Sequence, residues 1–485
     1  MKNIILLLCF FSFSAISWSQ NKSNELVTYT HYKLPKKVEK TLGVKFIEGN
    51  TFYYGSMPFD PISYNLEHGE EDTFLLNNPG RSQRITYSSF YIGVNEVTNG
   101  QYREFVNWVR DSIAHAMLGH YVKAGDKQYI DWSKKLDWQK DKKLAELYFK
   151  GDDQYHRKTA LDNSKLIYSS GKYSNKPLNI YPDTICWVRD FSYAYNEALS
   201  ANYFSHSAYT DFPVVGVSWE QALAYCDWKS NQINVLLRKM GQTEIDIRLP
   251  NEMEWEFAAR SEASEINEKS HFAWSQSDSK ILDKDGNYLA NFGPIKDENG
   301  ILIKDYMETG QNDNFGALYC SKVGTFAPYN GMYDLAGNVD EWVLDRAIPS
   351  DLNYCFDEFE GNDNLDKLRR ADLNFESFCS NYFDSIFAKK DEAAYRKKMQ
   401  IVLEEILAGT NIKPYLKKYT LNQILDELTK EFRMLCADDK RLAKGGSWNS
   451  DLANVATGSR RAYNQNRGYS FVGFRIACSS VQKIK

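Results

Sequence analysis

Beyond its first twenty residues the chain has no apolar run approaching the ~20 residues that a membrane-spanning helix needs. It has no basic surplus either: 59 Lys+Arg stand against 64 Asp+Glu, for a formal charge of −5 and a pI near 5.9. A general nucleic-acid binder would carry a basic excess, so that class is disfavoured. There is no CxxC and no other close pairing of metal-ligand residues, which argues against zinc. No Gly-rich loop runs into Lys-Ser or Lys-Thr and no GxSxG elbow occurs, which removes phosphate-loop and α/β-hydrolase chemistry. What remains is globular material: 43% hydrophobic and 25% charged residues give ample core over 485 residues, enough for about three domains. Aromatics reach 14%, so large rings can fill a core without long regular elements, and surface Tyr would suit a protein interface.

Lys2, the apolar run Ile4 to Ile16, and Ser17-Trp18-Ser19 before Gln20 make the three parts of a cleavable secretory signal over residues 1–19. Cys9 follows Leu6-Leu7-Leu8, with a bulky Leu where a lipid-modifying system takes a small residue, so the reading is plain cleavage after Ser19. The mature chain would keep seven cysteines, Cys186, Cys226, Cys320, Cys355, Cys379, Cys436 and Cys478, an odd number that implies no dense disulfide framework.

Residues 20–43 are polar and Lys-rich and are expected to form a loose leader; one domain is expected over 44–480. Val44–Ile47 and Thr51–Tyr54 around Glu48-Gly49-Asn50 predict a β-hairpin, and the alternation from Arg84 to Val97 predicts further strand. Capping boxes at Thr98/Gln101 and Ser218/Gln221 start helices, and Asn251 with Glu254 starts a third. Glu252, Glu254 and Glu256 crowd the first turns of that helix, where the helix dipole favours acids; the expectation is capping, not catalysis. Two long tracts, 113–211 and 346–441, interrupt this pattern. The second holds two apolar stripes, one through Tyr395, Met399, Val402 and Ile406 and one through Leu421, Ile424, Leu425, Leu428, Phe432 and Leu435, that predict a helical pair. Both tracts are expected to lie outside the core, with at least one making contact with a partner.

Five segments in order carry a resemblance: Tyr91 to Asn99; Pro213 to Trp219 running on to Trp228; Arg248 to Arg260; Gly331 to Trp342; and Lys444-Gly445-Gly446-Ser447-Trp448 closing with Gly473-Phe474-Arg475. Together they resemble the formylglycine-generating enzyme, or sulfatase-modifying-factor, superfamily. The fold class this implies is α+β: an irregular, C-type-lectin-like sulfatase-modifying-factor fold, here with two large insertions. In the active oxidases of that family a copper-binding cysteine pair follows the Gly-Gly-Ser-aromatic motif, soft thiolates suiting Cu(I). Here the two positions fall on Ser450 and Val455, so the resemblance implies a pseudo-enzyme without the copper ligands. Related iron-dependent synthases use a His cluster; His115 and His120 lack a third partner and are expected at the surface. The family's structural calcium implies two candidate sites, Asn291 and the Phe292 carbonyl with Asp305 or Asp313, and Asn338 with the Val339 carbonyl and Glu341; local turn contacts would explain the same residues. Its extracellular branch bridges a helix cysteine to the position of Ile476, which implies a disulfide between Cys226 and the nearby Cys478.

A narrower resemblance lies in Glu104 to Ile113, Ile130-Asp131-Trp132 and Lys135 to Trp138, which are similar to the gliding-motility and type IX secretion family GldK, also called PorK. It implies a non-catalytic scaffold: an exported periplasmic protein at the inner face of the outer membrane, assembled as a homo-oligomeric ring with a GldN/PorN-type partner. Nucleic acid is not among the expected partners. The alternatives are an exported oxidase of the formylglycine-generating type and a lectin-like binding protein.

Overall fold

The computed structural model describes most of residues 29–55, 83–150, 160–169, 177–260, 319–347, 391–409 and 440–483, with scattered residues over 272–304 and 422–429. The expected signal segment, Asp305, Asp313, Cys355, Cys379 and Cys436 lie outside the described residues.

Part of the stretch expected as a loose leader is ordered. β1 (Tyr29–His31) pairs with β18 (Val481–Lys483), and α1 (Lys36–Leu42) buries Val38 and Leu42. The expected hairpin between β2 (Val44–Ile47) and β3 (Asn50–Tyr54) is absent, because the two strands belong to different sheets. β3 pairs with β4 (Gln83–Tyr87) and β2 with β5 (Phe90–Gly93), in one continuous register from Val44 opposite Gly93 to Asn50 opposite Tyr87. This is a single ribbon that changes sheet at Gly49. A Cβ there would sit 2.8 Å from Ser89 N and from Tyr87 O, so only glycine lets the strands approach at the bend.

α2 (Asn99–Met117) begins at the Thr98/Gln101 capping box and leads into the hairpin of β6 (Tyr121–Ala124) and β7 (Lys127–Ile130). A short ladder of β8 (Ile167–Tyr168) and β9 (Leu178–Asn179) follows, then α3 (Cys186–Arg189) and α4 (Glu197–Asn202). α5 (Trp219–Lys239) starts at the Ser218/Gln221 box, and β10 (Ile247–Arg248) precedes α6 (Glu252–Arg260). β11 (Ile295–Lys296) pairs with β12 (Leu302–Lys304). The rest is β13 (Asp340–Arg346), α7 (Glu392–Gly409), β14 (Lys440–Lys444), β15 (Arg461–Asn464), β16 (Val472–Gly473) and β17 (Ala477–Ser479). One four-stranded sheet runs β10-β17-β5-β2 and the other β15-β14-β13-β16, with only β13 and β16 parallel.

Aromatic rings fill the space around these short strands. One apolar cluster gathers Tyr102, Phe105, Tyr225, Trp228, Trp342 and Phe474; another gathers Phe52, Trp255, Phe257, Phe272, Phe292 and Met332. Each such side chain, fully buried, contributes about 1.5–3 kcal/mol. Tyr395 and Met399 of the first stripe and Leu425 of the second belong to the second cluster, so these parts of the 346–441 tract lie within the core and not outside it as expected. The 113–211 tract also enters the core through Leu166, Ile180 and Phe204. A smaller cluster around Ala114, Leu144 and Leu147 adjoins the first one through Ile113 and Leu161, which pack against both. Among the described residues no helix is long and apolar enough to cross a membrane.

Candidate functional site

The Gly445-Gly446 turn that precedes Ser447-Trp448 has φ of +96° and +69°. A Cβ on Gly446 would lie 2.8 Å from Asn454 O, so these glycines are scaffold, folding the following loop back onto the core. Ser450, at the first family copper position, is buried. Its Oγ accepts the Ser447 N–H at 2.9 Å, lies 3.0 Å from Ser447 Oγ and accepts from the Arg461 guanidinium. Val455, at the second, is fully buried in the apolar cluster of Trp255 and Phe257. Neither side chain is a soft ligand, and a fixed cation already occupies the surroundings of the first. Trp448 closes the region, with Trp187, Phe191 and Tyr319 at ring separations of 6.4, 5.1 and 4.9 Å.

Next to this loop lies a buried polar hub that joins the two sheets. Arg475, just before β17, is fully buried and engages both carboxylate oxygens of Glu341 on β13. It also donates to the carbonyls of Gly93 on β5 and Tyr333, both at 3.0 Å. Trp255 Nε1 donates to Glu341 Oε2 at 2.7 Å. Beside this pair, Glu96 accepts from Asn338 Nδ2 at 2.7 Å and from the Val339 N–H at 3.2 Å. Asn338 Oδ1 accepts the Ser321 N–H at 2.8 Å, and Asn291 Nδ2 donates to Tyr319 O at 2.8 Å. Three carboxylates, Glu96, Asp334 and Glu341, thus share one guanidinium. Burial, reinforced by Asp334 and Glu341, pushes Glu96 well above the usual carboxylate range despite Arg475. Burial likewise raises Asp334 to about 6, against the Gly324 N–H that it accepts.

Of the two expected calcium sites, only the second lies wholly within the described residues. Glu341 has both oxygens on Arg475 and one also on Trp255, and Asn338 gives its amide to Glu96 and Ser321, so the second set is a guanidinium-filled network. Of the first set, Asn291 belongs to the same network, Phe292 sits in the apolar core, and Asp305 and Asp313 are outside the described residues. Among the described residues no group of three or more His, Cys, Asp or Glu side chains is arranged to hold a metal ion.

The acids of α6 do more than cap. Glu254 completes the box with Asn251, each accepting the other's backbone N–H, and also takes the Arg248 guanidinium. Glu252 and Glu256 are buried ion-pair partners: Lys444 lies 3.6 Å from Glu252 and 3.2 Å from Glu256, Arg460 reaches Glu252, and Arg260 lies 3.1 Å from Glu256. Burial alone would raise Glu252, but Arg460 and Lys444 hold it below its ordinary value. The expected capping role holds for Glu254, while Glu252 and Glu256 are held by cations distant in sequence.

Cys226 and Cys478 are both buried thiols, and the bridge implied by the family is not formed. The groups near them differ: Tyr102 and Tyr225 lie by Cys226, whereas Arg248 and Glu254 lie by Cys478. Burial pushes the Cys478 thiol up to about 12. Cys186 and Cys320 are buried thiols too, each raised by burial. His115, expected at the surface, is buried, with its Nδ1 at 3.0 Å from His120 Nδ1. Sequence reasoning passed over Glu96, Asp334 and Arg475 as parts of motifs. The available signal was a charged residue inside an otherwise apolar, glycine-punctuated segment.

An α+β domain with this motif order defines a sulfatase-modifying-factor fold. The sulfatase-modifying factor enzyme 1-like domain family matches residues 31–480, and the chain belongs to that family. It is similar to the inactive Cα-formylglycine-generating enzyme 2 of Bos taurus, 32% identical over 29% of this chain and 35% of that protein. It is also similar to the formylglycine-generating enzyme of Thermomonospora curvata, 30% identical over 27% of this chain and 33% of that protein. The aligned stretch thus spans about a third of the length of these curated relatives. Among solved structures, PvdO from Pseudomonas aeruginosa shares 14% identity at a TM-score of 0.35, covering 90% of this chain and 94% of that one. Non-catalytic members therefore exist beside active ones in this family.

Proposed function

We propose that this chain is a non-catalytic member of the family and works as a structural component of the type IX secretion and gliding machinery. In that role it is an exported, periplasmic ring scaffold of the GldK/PorK type, engaging a GldN/PorN-type protein. The observation that carries the non-catalytic reading is the packing at the copper positions: Ser450 takes the Arg461 guanidinium and Val455 is core. An oxidase would need two soft ligands there, free to meet one metal ion. The machinery assignment is supported by the segments similar to that family, which lie on α2 and from the end of the β6–β7 hairpin to Trp138.

The test has two arms. Purified protein titrated with Cu(I) and offered a cysteine-containing peptide is expected to bind no stoichiometric copper and to produce no formylglycine; stoichiometric copper with turnover overturns the reading. Co-expression with a GldN/PorN-type protein is expected to give a complex that survives gel filtration, and two separate peaks remove the scaffold assignment.

A further inference from the structure

Helix α2 ends in a turn whose backbone is held by two reciprocal hydrogen bonds. Gly119 is left-handed at φ +71°, its N–H donates to Ala116 O at 3.1 Å, and the His120 N–H reaches back to His115 O at 2.9 Å. A glycine-capped helix end of this kind brings together the side chains at the positions of His115 and His120, ordinarily for an apolar contact. Here both are imidazoles, and their Nδ1 atoms lie 3.0 Å apart. Neither ring is loosely placed. The Asp131 N–H donates to His120 O at 2.9 Å, one pair beyond Tyr121 and Ile130 in the β6–β7 ladder. Trp132 packs against the His115 ring at 5.2 Å and stacks on Trp108 at 5.5 Å.

Two neutral imidazoles share a proton at this distance, and the same distance suits one class of metal ion. With metal–nitrogen bonds of about 2.1 Å, two imidazoles stand about 3.0 Å apart at a right angle, about 3.4 Å apart at the tetrahedral angle and about 4 Å apart across a linear ion. The observed separation therefore selects the right-angled coordination of Ni(II) over tetrahedral zinc and over linear Cu(I). Charge agrees with a cation. His115 is in the last turn of α2, at the negative end of the helix dipole. Asp131 stands opposite His120, and the Ser133 hydroxyl and N–H hold its carboxyl below the ordinary value. His115 is buried, but His120 is half-buried and Trp132 is 47% exposed, so the pair is reached from the hairpin side.

We propose that His115 and His120 form a chelating site for a divalent first-row metal ion of right-angled geometry, with Ni(II) as its type. The two Nδ1 atoms take neighbouring positions on the ion and water takes the others. The site is open, in keeping with the absence of a cluster of three ligating side chains among the described residues. In the metal-free pair one Nδ1 carries the shared proton. On binding, that proton moves to Nε2 of the same ring, which makes no hydrogen bond of its own among the described residues. No net proton is released and nothing is oxidised or reduced. The bound ion ties the end of α2 to the start of β6. This site is separate from Ser450 and Val455 and does not rest on the scaffold reading.

The test uses the untagged full chain, stripped with chelator and titrated with nickel chloride by calorimetry. One equivalent is expected to bind, and zinc chloride to bind more weakly. His120→Gln should weaken nickel binding at least about tenfold, since even the loss of an outer-shell partner costs metal sites about 10–100-fold. Nickel should raise the melting temperature of the parent and not that of His120→Gln. His206→Gln, at an exposed histidine elsewhere, should bind nickel as the parent does. Circular dichroism identical to the parent shows that each variant is folded. Diethyl pyrocarbonate mapping of the parent needs no variant: nickel should protect His115 and His120 and leave His206 reactive. No binding at about 1 mM nickel, an affinity that His120→Gln leaves unchanged, or a loss matched by His206→Gln overturns the proposal. Zinc bound more tightly than nickel, or His115 and His120 unprotected, overturns it as well.

Discussion

Arg475→Met should be among the most damaging single substitutions in this protein. The guanidinium is fully buried, engages both oxygens of Glu341, and donates to Gly93 O and Tyr333 O at 3.0 Å and to Asp334 O at 3.3 Å. Removing one partner of a buried ion pair costs about 3–5 kcal/mol, because the other charge stays buried. The orphaned carbonyls add about 1 kcal/mol or more. Trp255 Nε1 still donates to Glu341 and offsets part of this, so the expected loss is about 4–6 kcal/mol. The loss should depend on pH. Without the cation, the folded-state pKa values of Glu96 and Asp334 move further above their unfolded values. Stability that depends on a raised carboxyl pKa is present at low pH and is lost as pH rises through the folded value. Urea unfolding followed by tryptophan fluorescence at pH 5.5 and pH 8 should therefore show the larger deficit at pH 8. Arg475→Lys, which keeps the charge but not the planar fork, gives an intermediate that can be measured if Arg475→Met does not fold. A deficit below about 1 kcal/mol, far under the cost of a broken buried pair, or one equal at both pH values, would refute the electrostatic account of the hub.

Four further outcomes follow from the same structure. Wild-type stability should rise as pH falls from 8 towards 5, since Glu96 and Asp334 titrate above their unfolded values, and Glu96→Gln should flatten that slope in thermal melts. Gly337→Ala would place a Cβ 2.1 Å from Asn291 O at a φ of +79°, and should cost on the order of 3 kcal/mol or leave the chain insoluble on expression. Tyr395→Ala should destabilise the whole domain by about 3–5 kcal/mol, as for other large buried rings; an unchanged melting temperature would show that α7 is not part of the core. Iodoacetamide should label neither Cys226 nor Cys478 in the folded protein and both after unfolding without reductant, whereas a cross-linked tryptic pair would show that the bridge forms.

The helix starts were legible because a capping box is local: Thr98/Gln101 and Ser218/Gln221 need only four residues to declare themselves. The motif order gave the fold class, which the match over 31–480 bears out. Pairing was not legible. Val44–Ile47 and Asn50–Tyr54 look like a hairpin by spacing, yet each takes its partner from a segment some forty residues later, across the bend at Gly49. Long-range charge was not legible either. Glu252 and Glu256 sit where a dipole argument explains them, and nothing in their neighbourhood of sequence announces Lys444 or Arg460. His115 was misplaced for a related reason: its helix face meets the imidazole of His120 and the ring of Trp132, contacts set by the turn beyond the helix.

The place of β17 within its sheet has a consequence for the chain while it is being made. The strand lies between β10 and β5, although it is drawn from residues 477–479. Until the ribosome has released that stretch, β5 can pair with β2 alone, and the pocket for Phe474 and Arg475 stands open beneath it. Unlike a repeat array, in which early units settle while later ones are still being translated, this domain cannot close from its beginning. A premature stop just before Gly473 would remove a central strand and its cation together, so such a truncation should behave as a null allele, with the product cleared by proteases. Before the codons for residues 473–479 are read, the nascent chain is chaperone substrate more than protein.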